Sequence, residues 1–164
     1  MGEASGSVSP LLKEDGEAFK IAVLIPTINN AVELEVVLER LSKQTYPDFE
    51  VVISDSKSKD NTKEICEKYG ATWIDDPSRN RANACNFALE KMDHDLVLFT
   101  DDDTIPPLDW VEKLVRWFDD PKIQLQRMLS KLHLINPTDQ QIQHALALID
   151  PNLRRSLSTI DPPE

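Results

Sequence analysis

The sequence predicts a three-layer α/β fold around a mostly parallel sheet, and three observations carry that expectation. Apolar runs and helical segments alternate four times between residues 20 and 122. The first run, Ile21-Ala22-Val23-Leu24-Ile25, is apolar at every position, as in a strand buried on both faces. The first, second and fourth runs end in polar clusters, which a parallel sheet gathers on one rim. Right-handed crossovers confine such a chain to doubly wound forms, in which ligands bind beyond the carboxyl ends of the strands.

Each element has its own warrant. Ile21 to Ile25 reads as strand one, stopped by Pro26. Asn29-Asn30 are placed to cap the next helix, whose apolar positions are Val32, Leu34, Val37, Leu38 and Leu41. Tyr46-Pro47-Asp48 is a turn, and Phe49 to Ser54 is strand two, ending on Asp55. A helix from Asp60-Asn61-Thr62 to Tyr69 closes on Gly70, a left-handed cap. Ala71 to Ile74 is strand three, Ala82 to Met92 a helix, and Asp95 to Thr100 strand four, ending on Asp101-Asp102-Asp103. After Pro106-Pro107, Trp110 to Phe118 is an amphipathic helix. Beyond it, Leu125, Met128, Leu129 and Leu132 mark one helix. Thr138 to Gln141 is a capping box that opens another, and the two form a C-terminal helical hairpin.

Composition divides the 164 residues into three segments. Residues 1–19 carry net −3 and read as a flexible leader; residues 20–122 carry net −8 and form the α/β domain; residues 123–164 are neutral and hold five of the six Gln. The overall charge of −11 argues against nucleic acid as a partner, since a phosphate backbone needs a basic face. It leaves room for a phosphate-bearing ligand neutralised by a cation. No apolar run reaches the ~20 residues of a membrane span. The N-terminus lacks the basic and apolar regions of a secretory signal. Cys66 and Cys85 form no metal pair or disulfide framework and read as small core residues, which fits a reducing cytoplasm.

The chemistry centres on the strand ends. Asp101, Asp102 and Asp103 set three carboxylates side by side; alternation aims Asp101 and Asp103 the same way. Such crowding is relieved by a hard cation, Mg²⁺ or Mn²⁺, though a solvated acidic turn has the same sequence. Asp55 is placed either to accept hydrogen bonds from a base or ribose, or to act as a turn residue. Lys57 and Lys59 read as loop charges. Arg79, Arg81 and Asn86, near a helix start, suit a diphosphate or a solvated basic turn. Among the residues there is no Ser/His/acid or Cys/His constellation.

Taken together these residues resemble the nucleotide-binding half of glycosyltransferase family 2, with its Rossmann-like GT-A fold. The resemblance rests on Ile25-Pro26-Thr27-Ile28-Asn29, on Gln44-Thr45-Tyr46-Pro47-Asp48-Phe49-Glu50, on Asp55 to Thr62, on Ala84-Cys85-Asn86, and on the acidic triplet followed by Pro106, Pro107 and Trp110. It implies that Pro26, Thr27 and Asn29 line a nucleotide pocket and that Asp55 meets a uracil-type base. It implies that Asp101, with Asp102, serves the nucleotide sugar, while Asp101 and Asp103 hold a metal against the diphosphate. The donor implied is a UDP- or GDP-sugar, transferred with inversion to an acceptor hydroxyl. The family often has Asp where Ser56 stands, Arg where Cys85 stands, and Gly near Arg79 and Asn80; these departures bear on nucleotide choice. Residues 123–164 show no acceptor platform and no general base, so the chain is expected to be the donor half, with either a native helical end or a replaced one. Two other readings share these features: a non-catalytic nucleotide-sugar-binding or regulatory module, and a metal-dependent nucleotidyltransferase. The second lacks a Gly-rich loop after strand one.

Overall fold

The computed structural model describes residues 10–13, 16–78 and 80–119. The expected helices of the C-terminal segment and Arg79 lie outside the described residues. The described residues divide between two compact units, one holding residues 10 and 19–113 and the other residues 11–13, 16–18 and 114–119. The described part of the second unit includes an antiparallel bridge between Leu12 and Ala18, within the segment expected as a leader.

In the larger unit, β1 (Ile21–Thr27), β2 (Glu50–Asp55), β3 (Thr72–Asp75) and β4 (Leu96–Phe99) form one sheet in the order β3-β2-β1-β4, parallel throughout. Helices α1 (Ala31–Leu41), α2 (Thr62–Tyr69) and α3 (Arg81–Leu89) follow the first three strands, and α4 (Trp110–Arg116) follows the fourth. This is the expected α/β architecture. All seven residues of β1 are buried, as the continuous apolar run requires of the strand between β2 and β4. No helix of the described residues is long and apolar enough to cross a membrane.

Several local expectations are corrected. Strand one does not stop at Pro26: β1 continues to Thr27, with Pro26 opposite Ser54. Leu24 bonds through its carbonyl toward the β4 side, while the Thr27 carbonyl bonds toward β2. Alternation therefore turns Pro26 toward β4, whose last partner in the ladder is Phe99, opposite Leu24. The missing N–H falls beyond the end of that ladder and costs no bond. Val32 is 74% exposed; the buried stripe of α1 is Ala31, Leu34, Val37, Leu38 and Leu41, and Val32 lies across the helix from it with Val36. Strands two and three each begin and end one residue later than expected, β4 spans only Leu96–Phe99, α3 is Arg81–Leu89, and the last turn, Trp117–Asp119, is a 3₁₀ helix.

Of the residues expected at the helix starts, Asp60 caps and the asparagines do not. Asn30 and Asn61 stand at the N-cap positions of α1 and α2 without capping through their side chains. Asp60 serves both helices. Its Oδ2 accepts the Ala31 N–H (3.0 Å), and its Oδ1 accepts the Thr62 N–H (3.2 Å) and hydroxyl (2.6 Å). Gly70 adopts the expected left-handed conformation, φ 68°.

Candidate active site

Parallel strands bring the polar clusters after β1, β2 and β4 to one rim, and hydrogen bonds tie them together. The Thr27 hydroxyl donates to Asp102 Oδ2 at 2.6 Å, joining the end of β1 to the acidic triplet. The Asn29 N–H donates to Ser58 Oγ (2.8 Å), and Asn29 Oδ1 accepts the Lys59 N–H (2.7 Å). Asn29 (φ 49°) and Lys57 (φ 68°) both hold left-handed backbone, which folds the two loops against each other. Lys57 is paired with Asp75 at 2.6 Å and is not simply a solvated loop charge.

The acidic triplet is a turn: the Thr104 N–H donates to the Asp101 carbonyl (3.3 Å). Strand alternation therefore does not govern it, and the expectation that Asp101 and Asp103 point together for that reason fails. Asp101 and Asp103 are exposed, while the half-buried Asp102 reaches Thr27. Among the described residues, no group of three or more His, Cys, Asp or Glu side chains is gathered to hold a metal.

Asp55 is 3% exposed. Its Oδ1 accepts the Ser58 N–H (2.9 Å) and its Oδ2 accepts the Trp73 indole N–H (3.0 Å). It faces α2 closely enough that, after burial, its charge is the next cause raising the Cys66 thiol to about 12. In this geometry Asp55 braces its own loop. Asn86 is exposed on α3. Arg81 begins that helix, and its side chain lies outside the described residues. Among the described residues, no side-chain hydrogen bond ties Asn86 into the rim.

Two rim residues escaped the sequence reasoning. Asp76, fully buried just past β3, accepts the Ser56 hydroxyl (2.7 Å), the Ser78 hydroxyl (2.7 Å) and the Ser78 N–H (2.9 Å). Burial pushes its pKa up, but these donors outweigh burial and hold it below the usual carboxylate range. Trp73 locks Asp55. The signal for Asp76 was present: the third strand ends on Asp75-Asp76, at the same edge as the other clusters.

The segment after the triplet is anchored by the Gln44-Thr45 part of the motif before β2. Gln44 Nε2 donates to the Pro107 carbonyl (2.7 Å), Gln44 Oε1 accepts the Val111 N–H (3.0 Å), and Arg40 Nε donates to the Pro106 carbonyl (3.0 Å). The Thr45 N–H donates to the Leu108 carbonyl (2.8 Å), and its hydroxyl donates to Glu112 (2.6 Å).

An open parallel sheet with its polar residues at the strand ends and an acidic turn after β4 is an α/β arrangement shared with solved GT-A structures. The family model described as glycosyl transferase family 2 matches residues 22–154, and the chain belongs to that family. Its relatives include glycosyltransferase AglE of Haloferax volcanii, 30% identical over a 101-residue alignment that covers 57% of this chain and 33% of AglE. The O-antigen chain rhamnosyltransferase RfbN of Salmonella typhimurium is 36% identical over a 110-residue alignment that covers 63% of this chain and 35% of RfbN. Among solved structures, mannosyltransferase PcManGT from Pyrobaculum calidifontis, in complex with GDP-Man and Mn²⁺, superposes with a TM-score of 0.58 at 30% identity, over 70% of this chain and 35% of that one. S. aureus TarS 1–349 in complex with UDP gives 0.56 at 29% identity, over 63% and 33%. The chain thus spans about a third of the length of these relatives.

Proposed function

We propose that this chain binds a nucleotide-diphospho-sugar at the strand-end rim and serves as the donor-binding half of an inverting sugar transfer. The observation that carries the reading is the Thr27–Asp102 hydrogen bond, which joins the end of the central strand to the acidic turn. Similar structures that contain GDP-Man with Mn²⁺, or UDP, support a nucleotide-linked donor. Pro26, Thr27 and Asn29 form the floor of the site, with Asp102 fixed by Thr27. Asp55 acts from within, holding the loop that carries Ser58 against Asn29. Arg81 and Asn86 on α3 are assigned to the diphosphate side.

Asp101 and Asp103 are exposed, and their carboxylates are hard oxygen donors; Mg²⁺ commonly takes one or two such groups and completes its shell with water and phosphate oxygens. Either residue would hold a cation in that manner, and a bound cation would supply the positive charge a diphosphate needs. In the transfer, the acceptor oxygen forms a bond to the anomeric carbon as the bond from that carbon to the diphosphate oxygen breaks. The base that takes the acceptor proton is assigned to a part of the enzyme beyond the described residues.

Calorimetric titration with UDP- and GDP-sugars, with and without Mn²⁺, tests the reading. Metal-dependent binding that is lost in Asp103→Ala is expected. Absence of binding by every nucleotide overturns it.

A further inference from the structure

The chain before β1 folds back on itself. The Lys13 N–H donates to the Glu17 carbonyl (2.7 Å), the Gly16 N–H donates to the Lys13 carbonyl (3.0 Å), and Leu12 bridges Ala18. Gly16, at φ 86°, takes the left-handed position that such a turn requires. Within this small hairpin Leu11 is 3% exposed, while the adjacent Leu12 is 55% exposed. Gly16, Glu17 and Ala18 are exposed as well. The two leucines therefore face opposite ways, as neighbours in a strand do, and one of them is hidden. An isolated hairpin is marginal in water and has no interior in which to hide a leucine. The Lys13–Glu17 ion pair, at 4.0 Å with its glutamate exposed, adds little. The cover over Leu11 comes from elsewhere in the chain, and that burial is what holds the hairpin in place.

The compact unit that contains the hairpin also contains, among the described residues, 114–119. There Val115, near the end of α4, is 3% exposed, and Phe118, in the 3₁₀ turn that follows, is half-buried. Their i, i+3 spacing puts them on one side of the helix end, whereas Trp117 between them is 63% exposed. We infer that residues 11–18 are an intramolecular strap: the hairpin seats Leu11 against the Val115–Phe118 face and keeps that apolar surface from water. The occupant of this face is the chain's own N-terminal segment, not a second copy. A stretch with the composition of a free leader is thereby an element of the smaller unit.

Two measurements on the full chain test this. A diazirine analogue of leucine carried at position 11 is irradiated, and the cross-linked peptides are sequenced; the same analogue at position 12 is the control. Position 11 is expected to cross-link within one chain to residues 114–119. Cross-links that all fall outside those residues, cross-links between chains, or a yield no higher than at position 12 overturn the inference. Hydrogen exchange is then compared in Leu11→Ser and Leu12→Ser. Leu11→Ser is expected to speed exchange by about tenfold or more in residues 11–18 and 114–119 together, and Leu12→Ser to change neither. Faster exchange in 11–18 alone, or equal effects of the two substitutions, overturns it. Should Leu11→Ser not fold, the cross-link decides, because the analogue keeps the size and polarity of leucine.

Discussion

Gln44 holds the segment that follows the acidic turn, and the effect of removing it can be worked out from its two bonds. Val111 is the second residue of α4, so its N–H is one of the donors a helix start leaves without an internal partner. Gln44 Oε1 supplies that partner from across the fold, and Val111 is fully buried. Gln44→Ala strands this N–H away from water, a loss of about 1–3 kcal/mol. The bond from Nε2 to the Pro107 carbonyl adds less, about 0.5 kcal/mol, because Pro107 is exposed and its carbonyl is free to turn to solvent. The sum is about 2 kcal/mol, or a fall in melting temperature of about 6 °C for a chain of this length. Gln44→Glu keeps the acceptor and loses the donor, so it falls between wild type and alanine. Urea titration at fixed pH, with calorimetry beside it, measures both variants. Stability of Gln44→Ala within about 0.5 kcal/mol of wild type, the range of an ordinary surface change, would refute the capping role. So would a glutamate variant as weak as the alanine.

Two further outcomes follow from the carboxylates and the thiols. Desolvation raises the pKa of Asp60, but the bonds from Thr62 and Ala31 outweigh it, and Asp76 is likewise held down by Ser78 and Ser56 against its burial. A folded pKa below the unfolded value stabilises the native state fully above the unfolded pKa, about 3.9 for Asp, and that contribution is lost as pH falls through the folded value. Melting temperature is therefore expected to drop below about pH 4, and a flat profile down to pH 3 contradicts the assignment. Cys66 is buried with its thiol pushed up to about 12, first by burial and then by Asp55, whereas Cys85 is only partly buried. Thiol labelling of the native protein at pH 8 should modify Cys85 and spare Cys66 until denaturant is added; rapid labelling of Cys66 in the folded state disproves its placement.

By itself the sequence determined the alternation of strands and helices, the buried central strand, and the edge at which the polar clusters meet. These follow from short-range periodicity and from the handedness of crossovers, which any window of Ile21 to Ile25 or Leu34 to Leu41 already displays. Gly70 was readable for the same reason, because a left-handed cap is a property of one residue. Only the tertiary structure decided which polar atom bonds to which. Asn29 and Asn30 suit a cap locally, yet Asp60, thirty residues on, reaches Ala31 because the second loop folds over the first. Asp55 stands at the rim as expected, but its bond from the Trp73 indole on the neighbouring strand could not be read from the sequence. The Asp76–Ser56–Thr27–Asp102 row joins residues from the ends of four strands. A hydrogen bond depends on distances of tenths of an ångström between groups far apart in the chain, and those distances exist only once the strands have paired.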